Sequence, residues 1–207
     1  MDLPTEPSDS EIIQRVKQGD DTAFRLIIER YQQSIYQLSM RMVIDAFEAE
    51  DLTQVVFLQV YKNLDKFRTS GSFKAWIFTI ARNTCLNEIR RRQRKQAFSL
   101  EQLSNETENG SYQISDPKTE NAKQIVLQDE LVDILNKLLF EVPEKQRTAL
   151  LLFQQERLTY EEISKVLGCS VGATKSLIFR AREHLKVRIK PYLSEGSWSP
   201  SLAIKNK

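Results

Sequence analysis

The chain has 207 residues, 41% of them apolar, and a net charge of only +2. That length holds one domain or two small ones with packed cores. No stretch approaches the roughly 18 uninterrupted apolar residues of a membrane span, the acidic start lacks a signal peptide's apolar run, and one histidine with two widely separated cysteines leaves no metal cluster and no disulfide framework. Cys85 and Cys169 read as small apolar residues of a cytosolic protein. The charge is very unevenly spread. Residues 72–95 carry seven basic groups and one acidic, and residues 171–193 carry six basic and one acidic. Residues 1–71 sum to −4 and residues 96–130 to −5. Five arginines crowd into 82–94, a pattern that suggests nucleic-acid contact rather than solvated helix faces.

In chain order, Ser10 to Lys17 has the pattern of a short helix, with Ile12, Ile13 and Val16 on its face, ended by Gly19, Asp20 and Asp21. Thr22 to Ile44 is a long helical pattern whose stripe is Phe24, Ile27, Ile28, Tyr31, Ile35, Leu38 and Met42. Phe47 to Leu64 follows, opened by Glu48, Glu50 and Asp51, which suit a helix start. A loop spans Asp65 to Gly71, and a third helix runs from Ser72 to Lys95 with a cationic end. From 97 to 124 the periodicity fails, and acidic residues, asparagines, glycine and proline dominate. This is expected to be a flexible acidic linker and a domain boundary.

Helical pattern returns over Ile125 to Phe140, and Pro143 suits the first turn of the next helix. Leu158 to Leu185 then reads as two helices joined by a tight turn. Thr159 is a plausible N-cap with Glu162 as capping-box partner, Gly168 suits a left-handed stop, and Ser170 caps the second helix. That second helix puts Thr174, Ile178, Ala181 and Leu185 on one stripe and Lys175, Arg180 and Arg182 mostly off it. A basic second helix of this kind can lie in a DNA major groove. The expected fold is all-α: two small helical domains joined by a flexible acidic linker, the C-terminal one containing a helix-turn-helix. The divisions are 1–96, 97–124, 125–193 and a loose tail, 194–207.

Four stretches, in order, resemble the extracytoplasmic-function class of bacterial RNA polymerase sigma factors. They are SEIIQRVKQGDDTAFRLIIERY from Ser10, AEDLTQVVFLQVYKNLDKF from Ala49, FKAWIFTIARNTCLNEIRRRQR from Phe73, and the segment from Val142 to Leu185. The resemblance implies that Asp51, Gln54, Phe57 and Leu58 grip core polymerase, with Phe57 equally suited to core packing. It implies that Arg68, Trp76, Arg82, Asn83, Asn87, Arg90 and Arg91 serve the melted −10 element. Flipping out a base costs a few kcal/mol of stacking. Asn83 offers donors and acceptors to a base edge, the arginines suit phosphates, and Trp76, on the apolar stripe, suits a core residue that shapes the pocket. Lys175, Ser176, Phe179, Arg180 and Arg182 match positions that read the −35 element, lysine and serine suiting bases and arginines suiting phosphates. Phe179 suits either a thymine methyl or the core.

Three positions depart from the family pattern: Val55 for glutamate, Asn87 for aspartate and Leu177 for arginine. The resemblance further implies core RNA polymerase, promoter DNA (duplex at −35, single-stranded at −10) and an anti-sigma protein as partners. It implies no cofactor, no metal, no catalytic residue, no direct membrane insertion, and a cytoplasmic location with any membrane link made through the anti-sigma partner. Stress-response genes are the expected target. A stand-alone helix-turn-helix regulator is the alternative, and it predicts twofold-symmetric duplex sites without polymerase.

Overall fold

The computed structural model describes residues 6–43, 45–68, 71–103 and 134–194. These residues form helices and short 3-10 turns. α1 is Asp9–Lys17, α2 Phe24–Val43, α3 Ala46–Asn63 and α4 Phe73–Leu103. α5 covers 134–141, α6 Glu144–Gln154, α7 Tyr160–Leu167 and α8 Val171–Ser194.

Local chemistry sets the boundaries. Ser8 caps α1 in a capping box: the Glu11 amide donates to Ser8 Oγ, and the Ser8 amide donates to Glu11 Oε2 at 2.6 Å. After Gly19, at φ +96°, Asp20 accepts from the Ala23 amide, so the chain makes a 3-10 turn over Asp21–Ala23 before α2 begins. The expected start at Thr22 is therefore two residues early. Asp45 caps α3 through the Glu48 amide at 2.9 Å. The α2 stripe is buried at Phe24, Ile27, Tyr31, Ile35, Leu38 and Met42. It packs on Ala49, Leu52, Val56, Phe57 and Val60 of α3 and on Phe73, Ile77, Phe78 and Ala81 of α4.

α4 corrects one expected boundary. It continues through Leu103, into the stretch read as linker from 97. No glycine or proline falls between Ser72 and Asn109, and leucine, glutamate and glutamine extend a helix at little cost. The remainder of the expected linker, the first part of the Ile125–Phe140 helix, and the tail with Trp198 lie outside the described residues.

In the C-terminal part, Pro143 occupies the N-cap of α6 rather than its first turn. α6 supplies Ala149, Leu150, Leu151 and Leu152 to a core shared with Ile163, Val166 and Leu167 of α7 and Ile178 and Ala181 of α8. Thr159 and Glu162 form the expected capping box. Gly168 closes α7 in the left-handed conformation, φ +62°, and Ser170 Oγ accepts from the Ala173 amide to start α8. The α7–turn–α8 unit is thus held by its own caps. α4 lies against α7, and α2 against α6, so the two helical parts share a face.

Candidate nucleic-acid interface

α8 presents its charged side to solvent. Thr174, Ile178 and Ala181 are buried, so Lys175, Ser176, Phe179 and Arg180 turn outward together. Phe179 is 65% exposed, so it is not a core residue. Lys175 sits with its ammonium 5.3 Å from the Tyr160 ring centre, and Tyr160 stacks on Phe153. This aromatic support leaves the lysine exposed while limiting its swing. Arg182 differs from the other four. It is half-buried, lies over Phe153 at 5.2 Å, and its buried Nε has no hydrogen-bond partner. It packs back against α6, which makes it a less accessible group than the sequence pattern suggests.

α4 presents a second polar face. Asn83, Asn87 and Arg90 are exposed and fall at spacings of four and three residues, one side of a helix. Asn87, Arg90, Gln93 and Arg94 line a shallow hollow there. Arg91 is exposed but engaged, its guanidinium donating to both oxygens of Glu88 at 2.7 and 2.6 Å. Nearer the start of α4, a hollow of about 280 Å³ is lined by Lys66, Arg68, Ser72, Trp76, Thr79 and Lys165. Trp76 is half-buried in a ring cluster with Phe67 and Phe73, at centroid distances of 5.2 and 5.6 Å. It therefore forms the wall of the hollow and belongs to the core on its other side.

Arg82 is the exception on α4. Its side chain keeps only 9% of its surface and donates to both carboxylate oxygens of Glu144, Nε at 2.9 Å and Nη2 at 3.0 Å. Sequence reading assigned it to single-stranded DNA; in this structure a carboxylate occupies it. The pair spans 62 residues of sequence, so no local pattern could have revealed it.

The outward side of α3 forms a third surface. Phe47, Val55, Leu58 and Tyr61 are exposed although apolar or aromatic, Leu58 at 60% and Phe47 at 84%. Asp51 shares their exposure. Gln54 and Phe57 line a groove with Gln32, Tyr36, Glu50 and Thr53. Phe57 itself is buried; of its two readings the core one describes most of the ring, with one edge reaching the groove. Exposed apolar groups clustered on one helix mark a surface made for a partner.

Family profiles match the chain in two places: Sigma-70 region 2 over residues 27–95 and Sigma-70 region 4 over residues 132–185. The RNA polymerase sigma-H factor of Pseudomonas aeruginosa is 36% identical over 192 residues, covering 92% of this chain and 98% of that protein. The ECF RNA polymerase sigma-E factor of Escherichia coli is 32% identical over 190 residues, with 90% and 96% covered. This chain belongs to the extracytoplasmic-function sigma factors. It is an alternative sigma factor, a subunit that directs bacterial RNA polymerase. Among solved structures, the sigma factor RpoE in complex with the anti-sigma factor NepR from Bartonella quintana aligns with a TM-score of 0.61 and 26% identity, over 81% of this chain and 96% of that one. CnrH in complex with the cytosolic domain of CnrY aligns with a TM-score of 0.63 at 20% identity, over 91% and 99%, a likeness of fold.

For this sigma factor, sequence reasoning missed Lys66, Thr79 and Lys165 at the hollow beside Trp76. Lys165 had no signal at all, since it sits on α7, in the other helical part. Phe47, Val55 and Tyr61 were legible in principle: each falls off the buried α3 stripe of Ala49, Leu52, Val56 and Val60. Among the described residues no helix is long and apolar enough to cross a membrane.

Proposed function

We propose that this sigma factor divides its work among the three surfaces. The outer side of α3, with Asp51, Gln54 and Leu58 and an edge of Phe57, binds core polymerase. The α8 face of Lys175, Ser176, Phe179 and Arg180 reads duplex −35 DNA. Arg68, Trp76, Asn83, Asn87, Arg90 and Arg91 serve the single-stranded −10 element, and Arg82 joins them once released from Glu144. Arg182 orients α8 through Phe153 and reaches backbone only at its edge. The observation that carries this reading is the presence of two separate basic faces, on α4 and α8, in one chain with a third surface of exposed apolar groups on α3. A duplex reader alone needs only the α8 face.

The chemistry follows from side-chain type. Lys175 and Ser176 reach base edges, Phe179 meets a thymine methyl, and Arg180 holds a phosphate. At −10, the hollow beside Trp76 takes an unstacked base, whose extrusion costs a few kcal/mol. Asn83 and Asn87 offer paired donors and acceptors along the strand. The chain performs no covalent step; bond formation belongs to the polymerase. Its place is the cytoplasm, and an anti-sigma protein is a partner, as for the similar RpoE of Bartonella quintana. The promoters it opens serve a stress response.

The test is run-off transcription with bacterial core polymerase on a genomic fragment library, with and without the protein. Discrete new starts with shared, asymmetric −35 and −10 sequences are expected. Tight binding to symmetric duplex sites without polymerase, and no new starts, would overturn the assignment in favour of a stand-alone regulator.

A further inference from the structure

The proposed −10 face has to be bare to work, yet part of it is occupied from within the chain. Three acidic side chains of the C-terminal part reach it. Glu144 accepts from Nε and Nη2 of the Arg82 guanidinium. Lys74 donates to the main-chain carbonyl of Glu156 at 2.5 Å and lies 3.4 Å from its carboxylate. Ser72 Oγ donates to Glu162 Oε1 at 2.6 Å. Lys165 closes one side of the hollow that Trp76 walls.

These contacts differ from an incidental touch in two respects. The first is burial. The side chains of Arg82 and Glu156 keep 9% and 10% of their surface, and a charge stripped of water and then left unpaired is strongly unfavourable. The second is shape. A carboxylate accepting two parallel N–H groups from one guanidinium presents the same geometry that a phosphate would. A phosphate of the DNA strand can therefore replace Glu144 on Arg82 without leaving the arginine bare.

We propose that Glu144, Glu156 and Glu162 act as an internal substitute for the −10 strand, holding the helix-turn-helix part over the start of α4 in the free protein. The inference rests on the reading of α4 as the −10 face. The closed arrangement lowers the apparent affinity for single strands by the fraction of molecules that are open. Binding of polymerase, which must hold the two DNA faces apart to meet two promoter elements, separates them and exchanges each carboxylate for a phosphate.

The experiment uses the full chain. E144Q/E156Q/E162Q removes three negative charges, and glutamine at 162 keeps the capping box. E6Q/E29Q/E183Q removes as many from exposed positions away from the junction. Radius of gyration is read by small-angle scattering. Affinity is read by anisotropy with a short, mixed-sequence, fluorescein-labelled single strand, in the absence of polymerase. The junction variant is expected to expand and to bind the strand about tenfold more tightly, while the control stays compact and gains far less. An unexpanded junction variant, or an equal gain in the control, overturns the proposal. A charge exchange guards against misfolding: Arg82→Glu opens the chain, and adding Glu144→Arg recloses it, read by scattering alone. Failure to reclose also overturns it. Run-off transcription with the unmodified protein separates the two claims. Normal starts with an unexpanded junction variant sink the internal substitute alone. Absent starts sink the −10 reading, whatever the scattering shows.

Discussion

α4 and α8 have nearly the same ingredients and opposite availability. Each is a long helix with a buried apolar stripe, a basic outer side and a helix-turn or loop at its start. On α8, Lys175, Ser176, Phe179 and Arg180 all face solvent. On α4, Arg82 is buried against Glu144 and the half-buried Lys74 is paired with Glu156, while Asn83, Asn87 and Arg90 stay free. The cause is tertiary: α7 lies on the first turns of α4, and nothing among the described residues lies on the outer side of α8. A basic helix is therefore not by itself an accessible one. Which of its cations are free depends on where the chain's own acids are carried.

The comparison can be broken most severely from the core of the helix-turn-helix. Ile178→Ala empties a site that is 2% exposed and is expected to cost about 2–5 kcal/mol. Chemical denaturation should show the loss, with duplex recognition falling before single-strand recognition does. Next in size is the double change Lys175→Ala with Arg180→Ala. Each base or phosphate contact is worth about 1–3 kcal/mol of recognition, so holoenzyme footprinting should lose −35 protection while polymerase pull-down is unchanged. Gln54→Ala with Leu58→Ala should do the reverse. Truncating exposed interface anchors costs more than about 1 kcal/mol each where they are hot spots, measurable as displacement of the protein from core polymerase. Damage to both activities from either pair would contradict the division of surfaces.

Smaller effects sharpen the same contrast. Thr159→Ala removes the cap of α7 and should cost about 0.5–2 kcal/mol in thermal unfolding, loosening the helix that carries Glu162 onto α4. Acid should act on the same carboxylate. Burial pushes Glu162 up, but hydrogen bonds from the Ser72 hydroxyl and from the Thr159 amide and hydroxyl together hold it below its ordinary value of 4.5, with Lys74 nearby adding to this. A carboxylate held low stabilises the native state above its unfolded value and loses that contribution as pH falls through the lowered one. The closed arrangement should thus be constant from neutral pH down to about 4.5 and loosen below it, a change that scattering in mildly acidic buffers reads directly.

Much of this was legible residue by residue. The Thr159–Glu162 box, Gly168 and Ser170 define the helix-turn-helix because each acts on backbone groups within three or four positions of itself. The α2 stripe is legible for the same reason, since a 3.6-residue period reports a buried face. Other features were not. The end of α4 was read at the edge of an acidic stretch, but acidic residues do not stop a helix when glycine and proline are absent, and it runs to Leu103. Phe57 carried two readings because position alone cannot say whether a ring meets the core or a groove; packing against α2 placed it mostly in the core. Arg182 looked like its basic neighbours until Phe153 was found beneath it.

The sequence by itself determined the helices, their caps, the two basic faces and the family, because all of these rest on local backbone chemistry or on residue order. Only the tertiary structure decided that Glu144, Glu156 and Glu162 sit opposite Arg82, Lys74 and Ser72. Those partners lie 62 to 90 residues apart in the chain. Pairing across such a distance follows from how two folded parts meet, and ion-pair chemistry carries no record of it in either segment alone.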